Sequence, residues 1–226
     1  MPSTKRSGHT LAVCLALMAG YVDGYGLFAL GTYVSFMSGN TTQTGTLLGQ
    51  REFQAAVPTA LAISFFLLGS ILGNCILHFT RHHAQRLLFL WSAGLLGAAI
   101  LVMNGNGSGV NVAISVLSLA MGSMNTALSQ LGAEPVNVTF VTGTLNKLGG
   151  HVALAIVRAP LGNSEGVGDS HLRRAVTLAS IWIAFFSGAI IAGAAAPVYG
   201  TKVLFPPLAI LLFLAIIVRN PRSRVA

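Results

Sequence analysis

The sequence predicts an all-α integral membrane protein with six transmembrane helices, arranged as two inverted three-helix repeats that each carry a polar broken or re-entrant segment. Three observations lead to this prediction. First, 54% of the residues are hydrophobic and only 8% are charged, whereas a soluble domain carries about 25% charged residues. Second, long apolar runs alternate with short basic segments. Third, two similar polar stretches occur, SFMSGNTTQTG at 35–45 and TFVTGTLNKLG at 139–149.

Six apolar runs are long enough, or nearly so, to cross a hydrocarbon core of about 30 Å, which takes roughly 17–25 helical residues. They cover residues 11–30, 55–79, 87–103, 110–131, 175–197 and 203–218. The first run follows Lys5 and Arg6, as a signal peptide would, but no small-residue cleavage site ends it. We therefore predict an uncleaved first span.

The positions of lysine and arginine predict the orientation through the positive-inside rule. Six spans with the N-terminus in the cytoplasm place eleven basic residues inside and two outside. The inner ones are Lys5, Arg6, Arg81, Arg86, Lys147, Arg158, Arg173, Arg174, Arg219, Arg222 and Arg224, and the outer ones are Arg51 and Lys202. An eight-span alternative, in which both polar stretches cross, gives nine inside and three outside. We therefore predict six spans with both termini in the cytoplasm. The same bias explains the net charge of +8, so no nucleic-acid partner is expected.

The two polar stretches mark an internal repeat within one membrane domain of residues 1–226. Repeat 1 covers about 9–104 and repeat 2 about 108–219. Aligned positions are Phe36 with Phe140, Gly39 with Gly143, Gly45 with Gly149, and upstream Gly20 with Gly122 and Asp23 with Asn125. Because each repeat has three spans, an odd number, the second repeat enters the bilayer upside down. Many transporters follow this plan, with the binding site where the halves meet.

Both polar stretches are expected to meet near the bilayer midplane and to line a path for a small polar or anionic solute. Irregular polar backbone at that depth survives only against protein or a water-filled cavity. Ser38 and Thr142 are expected to cap short helices at 40–49 and 144–157, whose N-termini would face the solute. The alternative is that the hydroxyls only join helices. The expected path-lining residues are Asp23, Ser38, Gly39, Asn40, Thr41, Gln43, Asn125, Thr142, Gly143, Thr144, Asn146 and Lys147.

Asp23 is the one acidic residue deep in a predicted span. A charged aspartate is costly there, so it should face the bundle interior, be protonated or pair with another group. It would serve either proton or cation coupling, or as a buried hydrogen-bond acceptor. Lys147 could balance Asp23, attract an anion or extend to the inner surface.

The run GYVDGYGLFALGTYVSFMSGNTTQTG at 20–45, together with the later Phe-Val-Thr-Gly-Thr-Leu at 140–145, resembles the signature of the YoaK-like bacterial membrane proteins. The resemblance extends over nearly the whole chain. It implies a multi-pass protein of the bacterial inner membrane. The family has no established substrate or reaction, so the resemblance leaves the function open.

Other chemistry has little support in the sequence. His78, His82 and His83 form an H-x-x-x-H-H pattern like that of membrane di-iron enzymes, but those need several such boxes, and a juxtamembrane basic cluster explains the pattern more simply. Neither cofactor nor metal is expected. Small-residue pairs, Gly69 with Gly73 and Ser118 with Gly122, are compatible with a homodimer. We predict a carrier or channel rather than an enzyme. A membrane-embedded enzyme and a non-transporting assembly protein are the alternatives.

Overall fold

A computed structural model describes residues 2–80, 83–105, 109–129, 141–162 and 168–217 of the chain. All regular structure in these residues is helical. The α-helices are α1 (Pro2–Leu30), α2 (Met37–Gly49), α3 (Phe53–Phe79), α4 (Ala84–Asn104), α5 (Val110–Ser129), α6 (Val141–Ile156), α7 (His171–Tyr199) and α8 (Phe205–Ile217), and a short 3₁₀ helix (Gly200–Leu204) joins the last two.

Five stretches of the described residues are long and apolar enough to cross a membrane. They are Gly8–Leu30, Phe53–Phe79, Ala84–Asn104, Val110–Ala127 and His171–Ile217. The last is 47 residues long and contains the fifth predicted span, 175–197, and all but the final residue of the sixth, 203–218. Its second part, α8, has only 13 residues, about 20 Å of helix. The prediction of several long apolar helices is therefore confirmed, and α2 and α6, with 13 and 16 residues, are shorter than a span.

Helices α1 and α7 touch backbone to backbone at a pair of glycines. A Cβ atom added at Gly20 would lie 1.9 Å from the carbonyl oxygen of Phe185, and one added at Gly188 would lie 2.0 Å from that of Leu17. No side chain larger than hydrogen fits at either position. Small residues of this kind let membrane helices pack closely.

Helices α3 and α5 repeat the same crossing. A Cβ at Gly69 would lie 2.1 Å from the carbonyl oxygen of Leu119, and a Cβ at Gly122 would lie 2.1 Å from that of Phe66. Leucine precedes the glycine by three residues in α1 and in α5, and phenylalanine precedes it by three residues in α7 and in α3. The chain therefore builds one packing arrangement twice, from helices far apart in sequence.

Both crossings join helices that run in the same direction. Gly20 in α1 faces Phe185, and Gly24, one turn later, faces Ala189 of α7. Gly69 in α3 likewise faces Leu119, and Gly73, one turn later, faces Ser123 of α5. Each pair is thus parallel.

The two parallel pairs run in opposite directions. The hydroxyl of Tyr25, near the end of α1, lies 3.4 Å from the sulfur of Met103 at the end of α4. Thr201, just after α7, donates to Asn104, also at the end of α4, at 2.6 Å. The ends of α1, α4 and α7 therefore lie on one side of the bundle. Because α5 begins at Val110, shortly after α4 ends, it starts on that side and runs the other way.

Candidate functional site

The loop of residues 31–36 turns back along α1 and binds a buried carboxylate. Asp23 is only 3% exposed. Its Oδ1 accepts hydrogen bonds from the backbone N–H groups of Val34 at 2.9 Å and Ser35 at 2.7 Å, and its Oδ2 accepts one from the Ser35 hydroxyl at 2.7 Å. Since α1 continues for seven residues past Asp23, the loop re-enters the bundle by about 10 Å.

A second buried side chain holds the same loop from α2. Asn40 is 0% exposed. Its amide donates to the carbonyl of Tyr33 at 2.7 Å, and its Oδ1 accepts from the Thr32 hydroxyl at 3.1 Å. Gly31 supplies the turn out of α1 with a φ of 69°, a conformation that glycine adopts without strain. We call residues 31–36, held by Asp23 and Asn40, the clamped loop.

Asp23 is thus a fully bonded acceptor for the loop that follows its own helix. Hydrogen bonds to an ionised carboxylate are about twice as strong as neutral ones, so ionisation of Asp23 would strengthen the clamp. The idea that Lys147 balances Asp23 has no support in these contacts, because the three hydrogen bonds to the carboxylate all come from the clamped loop. Lys147 is exposed on α6.

Helix α2 carries the rest of the first polar stretch on an exposed face. Three of its threonine hydroxyls, at positions 41, 42 and 46, donate to the carbonyl four residues earlier. Thr44 instead reaches Thr59 of α3 at 2.6 Å. Ser38 and Gln43 are exposed, and Gly39 is half-buried against the ring of Phe36. At membrane depth, such a polar face needs water or protein against it.

The expected capping residues lie inside the helices rather than at their ends. Helix α2 begins at Met37, after Phe36, and no side chain caps its N-terminus. Helix α6 begins at Val141, so Thr142 is in its first turn. The predicted helix starts at residues 40 and 144 were wrong, since each helix begins three residues earlier. Glycine and a hydroxyl residue can both adopt helical geometry in the first turn, so they do not mark the boundary.

The second polar stretch lies on α6. Thr144 is buried, Gly143 is half-buried, and Thr142, Asn146 and Lys147 are exposed. Helix α6 packs on α7, as α2 packs on α3. The first two residues of this stretch, Thr139 and Phe140, lie outside the described residues.

The two polar stretches do not meet, which corrects the prediction of a shared path at the midplane. Helices α2 and α6 make no contact with each other. Each packs on the outer flank of a parallel pair, α2 on α3 and α6 on α7. The order across the bundle is therefore α2, α3, α5, α1, α7 and α6, with α4 and α8 behind. The glycine crossings decide this order, because they place α1 and α5 in the centre.

The centre of the bundle is apolar where the sequence predicted a polar path. A small cavity of about 10 Å³ lies between α1, α4, α5 and α8, lined by residues that include Met18, Met121 and Met124. That is room for about one water molecule, and apolar cavities stay dry. This cavity therefore offers no passage for a polar solute.

Asn125 occupies the place in α5 that Asp23 occupies in α1, three residues after the crossing glycine. Its side-chain oxygen is buried and has no hydrogen-bond partner among the described residues. The segment that would correspond to the clamped loop lies within residues 130–140, outside the described residues. The corresponding positions of the two halves thus carry a carboxylate in one and an amide in the other.

Two further sequence predictions can be compared with the structure. In the part of the chain that is described, no three His, Cys, Asp or Glu side chains come together to hold a metal ion; His82 lies outside that part. The small residues Gly69, Gly73 and Gly122 pack inside the monomer, where α3 crosses α5. They are therefore not available for the homodimer contact that their spacing suggested.

The chain resembles proteins without a known activity. The family model described as "Protein of unknown function (DUF1275)" matches residues 11–217. A curated UPF0700 transmembrane protein of Rhizobium meliloti (strain 1021) is 29% identical over 218 residues, which are 95% of this chain and 88% of the relative. No solved structure gives a significant match. The family match, the transmembrane relative and the long apolar helices together indicate a multi-pass membrane protein.

Proposed function

The chain belongs to the DUF1275 family of multi-pass membrane proteins, and from this premise we propose that it carries a small polar or anionic solute across the bacterial inner membrane. The family match also confirms the resemblance to YoaK-like proteins. The observation that carries the proposal is the repeated glycine crossing in two helix pairs of opposite direction. An inverted repeat of this kind is the plan of many secondary transporters.

The directions of the helices also favour six spans over eight. In the six-span topology α1, α4 and α7 all cross from the cytoplasm outward. The contacts of Met103 and Asn104 at the end of α4 with Tyr25 and Thr201 agree with this. In the eight-span topology α4 would end on the side opposite to α1 and α7. Cytoplasmic N- and C-termini then follow from the charge bias.

The clamped loop and α2 form the unit that we assign to gating on the outer side. The side chains of Asp23 and Asn40 hold the loop by hydrogen bonds, and Thr44 of α2 donates to Thr59 of α3. Val34 of the loop is also fully buried in the hydrophobic core, so movement of the unit has to withdraw this side chain while the glycine-packed helix pairs stay in place. Helix α6 on α7 is its counterpart on the inner side. Alternating movement of the two would open the apolar centre to each side in turn.

Reconstituted vesicles test the proposal directly. Purified protein in liposomes that contain the K⁺ ionophore valinomycin, so that K⁺ can follow the anion, is placed in hyperosmotic potassium acetate, nitrate or phosphate, or in glycerol or urea. The recovery of vesicle volume is followed by light scattering. We expect at least one probe to enter faster than in protein-free vesicles. Entry of none of the five would reject this solute class and favour the alternatives, a membrane-embedded enzyme or a non-transporting assembly protein.

A glycine variant separates specific passage from leakage. In Gly39→Leu the new side chain meets the Phe36 ring, since even a Cβ atom would lie 2.5 Å from it. We expect the flux to be lost, and the equivalent Gly143→Leu to act likewise. Gly193→Leu is the control, because no atom lies within 4 Å of a Cβ there. Flux that persists in both stretch variants would contradict the gating role.

A further inference from the structure

Two histidines join α6 to α7 in a contact that the solute path does not use. His151 lies on α6 and His171 is the first residue of α7. Their Nδ1 atoms are 2.9 Å apart, and their ring centres are 5.2 Å apart with the planes tilted by 39°. Both side chains are half-buried.

The two distances together identify the kind of contact. For a 2.9 Å separation of the nitrogens, 5.2 Å between ring centres is close to the largest value possible, so each Nδ1 points along the line of centres. That is the geometry of an N–H···N hydrogen bond. Two imidazoles on one metal ion would instead converge on a point beside that line, and their ring centres would be closer for the same nitrogen separation.

A hydrogen bond of this type holds one proton between two nitrogens. In the uncharged pair each ring carries one proton, and one of these lies between the Nδ1 atoms. A first added proton goes to the bare Nε2 of the donor ring, and the bond becomes charge-assisted. A second goes to the Nδ1 that accepted the bond. Both Nδ1 atoms are then donors, so the bond is lost and two positive charges face each other.

We propose that His151 and His171 form a proton-binding latch, which holds α6 on α7 until the second proton separates them. The inference concerns the packing of α6 and stands whether or not the protein carries a solute. If the proposed transport is correct, the latch makes the inner unit respond to protons.

The charges around the pair set the direction of the response. Among the described residues most of these charges are cationic and oppose the second proton, so we expect release under acidic conditions. Arg174 forms an ion pair with Asp169 at 2.8 Å. The charged groups of α6 and its end are Lys147, one turn before His151, and Arg158, just after the helix. Asp169, Arg173 and Arg174 lie around the start of α7. On α1, which packs against α7, the titratable group is His9, whose Nε2 lies 3.4 Å from the Ser180 hydroxyl.

Pulsed electron paramagnetic resonance tests the latch. Nitroxide labels are placed on cysteines at Val152 of α6 and Val176 of α7, both exposed, in a chain whose two native cysteines are replaced. The distance between them is measured from about pH 8 to about pH 5, the range in which histidine changes charge. We expect a narrow distribution at the upper end and a longer, broader one at the lower end.

Neutral variants decide whether the histidines cause the change. In His151→Gln and His171→Gln the side chain cannot gain a charge, so the distance should no longer depend on pH. His78→Gln is the matched control, since His78 also lies near a helix end but on α3, and it should keep the response. No change in the unmodified pair, or a response that survives in both glutamine variants, overturns the proposal. So does a change produced by Zn²⁺ at pH 8, which would identify a metal chelate.

Discussion

Replacing Gly20 by alanine adds one methyl group where two helix backbones touch. The new carbon would start 1.9 Å from the carbonyl oxygen of Phe185 and 2.7 Å from its carbonyl carbon. Non-bonded heavy atoms do not approach within 3.0 Å at such contacts, so α1 and α7 must separate by about 1 Å or more, which weakens the dispersion contacts along the crossing. The atoms in the way belong to the backbone and cannot rotate aside.

The expected loss of stability follows from two opposing terms. Overpacking costs about 1–3 kcal/mol, and a rigid backbone neighbour places Gly20→Ala at the upper end. Alanine in a helix gains back about 1 kcal/mol over glycine. The net loss is therefore about 2 kcal/mol. The same value is expected for Gly188→Ala, Gly69→Ala and Gly122→Ala, because a Cβ at each would lie 2.0–2.1 Å from a carbonyl oxygen.

Gly193→Ala in α7 provides the control, since a Cβ there meets no atom within 4 Å. It keeps only the helix-propensity term and should be neutral or slightly stabilising. The free energy of unfolding is measured by SDS titration in mixed micelles, followed by far-UV circular dichroism. If the four crossing variants are as stable as Gly193→Ala, the helices do not pack through these glycines. If only the α1–α7 pair is sensitive, the duplication of the crossing is wrong.

Two other predictions concern the clamped loop and the topology. Asp23→Ala leaves two buried backbone N–H groups without partners and should destabilise the protein by about 3 kcal/mol or more, since each such group costs about 1–3 kcal/mol; Ser35→Ala removes a single hydroxyl bond and should cost about 1–2 kcal/mol. The thermal unfolding midpoints of the two variants check the order, and an equal effect would show that the carboxylate does not hold the loop. In a cysteine-free background, a cysteine at Gln50 should react with an impermeant maleimide added outside intact cells, and one at Gln85 should be protected. The reverse pattern would establish eight spans and end the six-span proposal.

The contacts of Asp23 illustrate what sequence alone could assign to the candidate site. An aspartate within an apolar run must be bonded or protonated, so its burial was predictable from the cost of a charge in the membrane. The hydrogen-bond partners of Asp23 were not predictable, because they belong to the clamped loop. In the sequence this loop runs into the polar stretch that was expected to line a solute path. For the same reason, the sequence did not predict that Asn40 binds the clamped loop through Thr32 and Tyr33.

The long apolar helices and the positive bias of their flanks were determined by the sequence itself, because hydrophobic length and charge act locally along the chain. The relative placement of the two polar stretches was decided only by tertiary packing. Gly20 with Gly188 and Gly69 with Gly122 bring α1 and α5 to the centre, and α2 and α6 are left on opposite flanks. A repeat in the sequence records which segments correspond, whereas close backbone contact at glycines determines which segments touch.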